Sequence, residues 1–381
     1  MRKIVIIGPA YPLRGGIATF TERLADELQK SGDEVSIETY SLQYPKLLFP
    51  GKTQWSTEKR QLAVPIRISL NSINPWNWLK LGYRLKREKP DLLIFKFWIP
   101  FMAPALGTIA RIVRKNNITK CIGLAHNVLP HEQRIGDRLL SKYFVKAMDA
   151  FLVLSQSVKK DLETFDYKKP IRMSPHPLYD HFGEGLSRKA GLDKLDLNSD
   201  WNYLLFFGFI REYKGLDLAL KAMASPKLKD LKVKLIVAGE FYSDSKPYFD
   251  LVDSLGIKDR VLFFSSFITD SQIPRFFAAA DLIVQPYKNA TQSGVTQVAY
   301  HFNKPILVTN VGGLPELVPH QKVGYVSGLD SEEIASYIHD FYTNNRAKAF
   351  SENIKTYKKK YSWELFVEQF NELVIDIEKA R

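Results

Sequence analysis

A chain of 381 residues with 45% hydrophobic and 13% aromatic residues has apolar content for two cores, which excludes a disordered polypeptide. Its net charge of +13 lies in one half: residues 1–180 carry 29 Lys and Arg against 16 Asp and Glu, and the remaining 25 of each kind cancel. That half is attracted to something acidic, whether nucleic acid, anionic lipid or a phosphorylated ligand.

The first apolar run, residues 3–7, ends at Gly8-Pro9, too short for a signal sequence, and reads as a buried strand. Further strands are expected at 35–39, 91–96, 120–124 and 151–154, with helices at 19–31, 76–87, 106–115 and 138–146 between them. The second half repeats the pattern, with strands at 203–207, 233–238, 261–264, 282–285 and 306–308. Helices of ten or so residues between strands of about five predict α/β domains with parallel, doubly wound sheets. A last helix is expected at 363–377, with apolar residues at helical spacing. Residues 179–200 carry Gly183, Gly185, Gly191 and no sustained apolar period, and read as a linker. Two such domains place a ligand cleft outside the carboxyl ends of facing sheets.

Cys121 is the single cysteine, so no intramolecular disulfide and no cysteine metal cluster can form, which fits a reducing compartment. The uncharged, largely apolar stretch 97–110 has 14 residues and two prolines, short of a membrane span. A cytoplasmic protein is expected.

Five stretches carry chemistry. The turn after the first strand ends in Gly15-Gly16 before a helix, where backbone N–H groups meet a ligand; a plain strand–helix loop explains the same letters. It holds no G-x-G-x-x-G. Gly208-Phe209-Ile210-Arg211-Glu212-Tyr213-Lys214-Gly215 follows a strand and sets two cations among glycines, suited to a diphosphate unless both are solvated loop residues. Ser293-Gly294-Val295, with Gln297 beyond it, opens a helix whose N–H groups can face phosphate oxygens, or is an ordinary N-cap. Gly312-Gly313-Leu314-Pro315-Glu316 offers a carboxylate for sugar hydroxyls, or a glycine turn with proline starting a helix. His126-Asn127 ends a strand, with His131-Glu132 beyond, in a spacing that is no zinc motif; a lone histidine there is a ligand-facing group or a structural hydrogen-bonder.

Taken in order, Gly15-Gly16, His126, the G-x-x-R-x-x-K-G run, Gly312-Gly313-x-Pro-Glu316 and Tyr361-Ser362-Trp363-Glu364 resemble retaining, nucleotide-sugar-dependent glycosyltransferases of family 4, of the bacterial cell-surface polysaccharide type. The likeness spans nearly the whole chain. It implies a GT-B fold, two Rossmann-like domains facing across a cleft. Residues 1–178 would be the acceptor side, with 361–381 packing back on it, and 201–360 would bind the donor. It implies further that Arg211 and Lys214 neutralise the departing diphosphate, and that N–H groups at Gly15-Gly16 and Ser293-Gly294-Val295 assist. His126 would contact the donor sugar. Gly208, Gln297, Gly313 and Glu316 would complete the donor site, with no cofactor and no metal.

The sequence departs from the family at its paired glutamates. Counting back from Pro305, those positions are Ala290 and Val298, or in the adjacent register Asn289 and Gln297. Gln292, Gln297 or main chain would then hold the sugar and ribose hydroxyls. Two rivals remain: an epimerase of the same fold, whose acid/base carboxylates cannot be placed, and a basic nucleic-acid-binding protein, which lacks any recognisable motif. The expected partners are a nucleotide-sugar donor and a saccharide or lipid-linked acceptor, with no nucleic acid. The run from Trp76 to Lys89 mixes aromatics with Lys80, Arg84, Lys86 and Arg87; it reads either as an anionic-membrane contact or as a surface helix burying Trp76 and Leu79.

Overall fold

The computed structural model describes residues 1–45, 53–56, 64–130, 134–165, 167–290 and 293–379. They form two compact units: residues 1–177 with 361–381, and residues 178–360.

The N-terminal unit runs β1 (Lys3–Ile7), α1 (Gly16–Lys30), β2 (Glu34–Leu42), β3 (Ile66–Asn71), α2 (Pro75–Glu88), β4 (Leu92–Phe97), α3 (Ala103–Arg114), β5 (Lys120–Ala125), α4 (Asp137–Val145), β6 (Ala150–Val153), α5 (Gln156–Glu163) and β7 (Ile171–Met173). The C-terminal unit runs α6 (Arg188–Leu195), β8 (Asn202–Phe207), α7 (Leu216–Met223), β9 (Val233–Ala238), α8 (Lys246–Ser254), β10 (Val261–Phe264), α9 (Ile273–Ala279), β11 (Leu282–Gln285), α10 (Gly294–His301), β12 (Ile306–Thr309), α11 (Leu314–Leu317), β13 (Gly324–Ser327), α12 (Ser331–Thr343) and α13 (Arg346–Tyr357). Helix α14 (Trp363–Lys379) returns to the first unit.

Among the described residues the first sheet has seven parallel strands, ordered β3-β2-β1-β4-β5-β6-β7, and the second has six, ordered β10-β9-β8-β11-β12-β13. In each, the chain winds outward from a first strand and then resumes on its other side. The order therefore reverses between β1 and β4, and again between β8 and β11. Loops leaving the carboxyl ends of those strands diverge and open a crevice, the place where doubly wound sheets bind ligands.

Local chemistry sets the elements. The central strands are covered on both faces by helices, so all six residues of β4 are buried, and a continuous apolar run becomes a strand. Helix α1 turns Phe20, Leu24, Ala25 and Leu28 inward at helical spacing. Asn74 caps α2, accepting from the N–H groups of Trp76 and Asn77, with Pro75 at the first helical position. Helix α14 lays Trp363 and Phe366 against Phe20, at 5.3 and 5.7 Å between ring centroids, and Arg172 of β7 pairs with Glu372 and Asp376.

Two expectations need correction. Residues 179–200 are not a bare linker: α6 forms there, capped by the Ser187 hydroxyl, and packs on α9. Gly191 serves that contact, because a Cβ there would lie 2.7 Å from the Cβ of Ala278. Trp76 is not buried. It is 80% exposed, since α2 turns Leu81, Gly82 and Leu85 to the core instead. Among the described residues no helix is long and apolar enough to cross a membrane.

Candidate active site

In the C-terminal unit the loop after β8 is built around glycine. Gly208 has φ +97°, and a Cβ on Gly239 would fall 2.0 Å from the Gly208 carbonyl oxygen. Gly215, at φ +69°, closes the loop; a side chain there would strike the Pro286 oxygen at 1.9 Å. The first approach sets the β8 loop against the loop after β9, and the second sets it against the loop after β11, across the switch point. Between the glycines a short 3₁₀ turn, Glu212–Lys214, starts from Arg211.

The turn buries one cation and exposes the other. Lys214 is 8% exposed, and its amine lies 3.1 Å from where a Gly208 Cβ would sit and 5.5 Å from the centre of the Tyr287 ring. Burial, and then the Arg211 charge, push its pKa down to about 7. Arg211 is exposed and lies over Tyr242 at 4.9 Å. Neither makes an ion pair among the described residues. Two close cations without a counter-charge leave a local field suited to an anion of more than one charge.

Helix α10 begins beside them, with the Val295 side chain 3.7 Å from the same Gly208 Cβ position. Ser293 is its cap, accepting from Val295 N–H at 3.2 Å, and its first turn carries no acid. The N-terminal end of α10 thus adds positive potential to the cation pair. A Cβ on Gly294 would meet the Tyr179 ring at 2.9 Å. Gln297 is fully buried one turn in, with neither amide atom partnered among the described residues. Gly313 is buried ahead of α11, and Glu316 lies exposed on that helix, after the strand next to β11. Gln292 lies outside the described residues.

Sequence reasoning missed Gln285. It ends β11 at the switch point, is 1% exposed, accepts from Thr296 Oγ1 at 3.2 Å and leaves Nε2 unpartnered among the described residues. The available signal was an amide closing an otherwise apolar strand.

In the N-terminal unit the switch point lies between β1 and β4. Gly15, at φ +106°, precedes α1, and Gly16 opens it with no acid in the first turn. His126 follows β5 directly, its N–H donating to the Phe97 carbonyl at 2.8 Å. The residue is 8% exposed and its ring meets Phe20 edge-on at 5.3 Å, and Nε2 has no partner among the described residues. Burial, then Lys96, then His176 hold it well below the usual histidine range, so the imidazole is neutral at physiological pH. It offers hydrogen bonding without charge. His131 and Glu132 lie outside the described residues.

Lys96 was also missed. It sits inside β4, fully buried, with Nζ 3.5 Å above the Phe20 ring and without a hydrogen-bond partner among the described residues. Gly8 makes room for it, since a Cβ there would lie 2.6 Å from Lys96 Cγ. A lysine inside the run Leu-Leu-Ile-Phe-Lys-Phe was the sign. Buried Cys121 is unreactive, its thiol pKa raised by burial.

Comparison with known proteins assigns both units. The model described as Glycosyltransferase Family 4 matches residues 14–178, and that of Glycosyl transferases group 1 matches residues 187–361. The glycosyltransferase MJ1607 of Methanocaldococcus jannaschii is 28% identical over 391 residues, covering 95% of both chains. Sucrose-phosphate synthase of Thermosynechococcus elongatus superposes with a TM-score of 0.74 at 16% identity, covering 100% of each chain. HepE of Anabaena, solved in complex with UDP-glucose, gives 0.69 at 16% identity, covering 99% of this chain and all of that one. The parallel sheets and these structural likenesses make the fold GT-B, and with both units matched the chain belongs to the family 4 glycosyltransferases and is an enzyme of that class.

Proposed function

We propose that this glycosyltransferase takes its sugar from a nucleoside-diphosphate donor, retains the anomeric configuration and needs no metal ion. The observation that carries the reading is the Arg211–Lys214 pair, uncompensated, at the start of α10 on the β8–β11 switch point. Negative charge grows on the diphosphate as the C1–O bond breaks. Fixed cations and helix-terminal N–H groups stabilise that charge more in the transition state than before it, which is what accelerates the step. HepE was solved with a donor of this kind, UDP-glucose.

The family resemblance supports retention. The acceptor hydroxyl would attack C1 on the face from which the diphosphate leaves; its proton passes to a diphosphate oxygen as the new C–O bond forms. His126, neutral and with Nε2 open, suits a hydrogen bond to a donor-sugar hydroxyl. Gln285 at the end of β11 and Gln297 within α10 carry buried amide atoms unpartnered among the described residues and suit the hydroxyls that the family's two glutamates take. The acceptor is a saccharide or lipid-linked saccharide. Exposed Trp76 and Tyr83 on basic α2 support contact with an anionic membrane surface.

Thermal unfolding in the presence of UDP, ADP or GDP tests the donor site. A bound nucleotide raises Tm by mass action, and Arg211→Ala with Lys214→Ala removes the rise. No rise with any of the three overturns the assignment.

A further inference from the structure

The helices on the two faces of the first sheet carry opposite charge. From β3 to β4, from β4 to β5 and from β5 to β6 the chain steps the same way across the sheet, so right-handed crossovers set α2, α3 and α4 on one face. Helix α2 packs on α3, and α3 on α4. The step from β1 to β2 runs the other way and puts α1 on the opposite face, where α14 packs beside it. Helices α2, α3 and α4 together hold eight Lys and Arg against two Asp and Glu, whereas α1 and α14 hold three against eight. Some of the eight are spent inside the unit: Arg84 pairs with Glu38 and Glu88, and Arg114 with Asp149. Lys80, Arg87 and Lys142 are exposed and form no ion pair among the described residues. One face is therefore basic and available, and the other acidic.

Helix α4 adds apolar groups to that face. Its inner side buries Ser141, Phe144 and Val145, yet Leu139 and Tyr143 on the helix and Ile135 just ahead of it are exposed, Ile135 fully and Leu139 to 74%. Tyr143 is held there: its hydroxyl lies 2.9 Å from Thr108 Oγ1, and the Arg111 guanidinium sits 3.7 Å over its ring. Exposed Arg134, Arg138, Lys142 and Lys146 alternate with the three. Apolar side chains among cations match an anionic lipid surface, where the first enter the acyl boundary and the second meet the phosphates. A nucleic acid would take the charge and leave Ile135 and Leu139 in water. We propose that α4, with the exposed Trp76 end of α2, docks the N-terminal unit on an anionic bilayer, Ile135 and Leu139 entering it and the acidic face of α1 and α14 turned away. This rests on the membrane reading above and deepens it, naming α4 as the inserting element.

A fluorescent label on the full chain reads the insertion directly. Cys121 is buried, so an environment-sensitive thiol dye attaches to an introduced cysteine alone. The sites are Leu139→Cys on α4, Trp76→Cys on α2 and, as the control, Leu365→Cys at an exposed position of α14. Vesicles of phosphatidylcholine with phosphatidylglycerol at low salt should shift the first two dyes to the blue and leave the third unchanged. Pure phosphatidylcholine vesicles should shift none. Without label, Ile135→Ser with Leu139→Ser should weaken vesicle partitioning about tenfold, the scale of partly burying two apolar side chains. Lys142→Gln with Lys146→Gln should weaken it about 25-fold, roughly a factor of five for each cation at such a surface. These exposed positions should leave Tm within a degree or two of the parent's, which separates lost binding from lost fold. No shift on Leu139→Cys, or an equal one on Leu365→Cys, would overturn the docking face; a response kept by Trp76→Cys would then leave the α2 reading standing by itself. The same Leu139→Cys shift with duplex DNA in place of vesicles would give the face to nucleic acid and overturn it too. Absence of binding to either kind of vesicle would end both readings.

Discussion

Lys214 makes donor affinity depend on pH in a way that can be worked out beforehand. In the free protein burial and Arg211 hold its pKa at about 7, so the amine is half neutral at pH 7. A bound diphosphate supplies the missing counter-charge and returns the amine to the cationic form, so binding takes up a proton. The charged form falls from about half at pH 7 to roughly one in a hundred at pH 9. Affinity for UDP should therefore drop about 50-fold over that interval, close to 2.3 kcal/mol. It should level off below pH 6, where the amine is charged before the ligand arrives. Calorimetric titration in two buffers of different ionisation enthalpy reads the proton directly: about 0.5 taken up at pH 7, approaching one at pH 9. Lys214→Met should abolish both the uptake and the slope. Because it removes a buried amine that Arg211 opposes, it should also stabilise the unliganded protein by about 1–4 kcal/mol. UDP affinity flat between pH 7 and 9 in the parent protein would refute this account of the pair.

Arg211→Ala, at an exposed position, should leave Tm within a degree or two and lower the transfer rate about 10²–10³-fold, measured as sugar transferred per enzyme in single turnover. For His126→Ala, kcat should fall steeply while UDP affinity stays within a few-fold; unchanged turnover would make it a structural residue. Vesicle sedimentation should show binding to anionic but not neutral vesicles at low salt, lost as salt rises and weakened by Trp76→Ser. Equal binding to both vesicle types would end the membrane reading.

The central strands were legible because covering both faces of a parallel sheet demands a continuous apolar run. Strands β1, β9, β10 and β11 coincide with the expected ranges, and β2, β4, β5, β6, β8 and β12 lie within a few residues of them. The strands not anticipated, β3, β7 and β13, are edges of their sheets, where fewer neighbours are needed and polar residues are tolerated; Ile-Arg-Ile-Ser-Leu-Asn of β3 is mostly exposed or half-exposed. The linker expectation failed because a stretch without a sustained apolar period still forms the short helix α6, whose Gly191 permits close packing on α9.

The candidate site divides along the same line. Glycine turns after strands, and the Arg211–Lys214 pair between two of them, are local facts of sequence, because backbone conformation and close approach restrict which residues fit. What those groups feel is not local. The pKa of Lys214 follows from desolvation first and then from Arg211, and the neutrality of His126 from burial first and then from Lys96 and His176, 30 and 50 positions away. Lys96 and Gln285 became visible only when strand order brought the carboxyl ends of β1 and β4, and of β8 and β11, side by side. The sequence alone determined two doubly wound domains and the glycine-flanked cations, since each is written in a few consecutive residues. The tertiary structure decided which charges are buried, which amides are left unpaired and which rings are fixed, because those depend on neighbours that only the fold supplies.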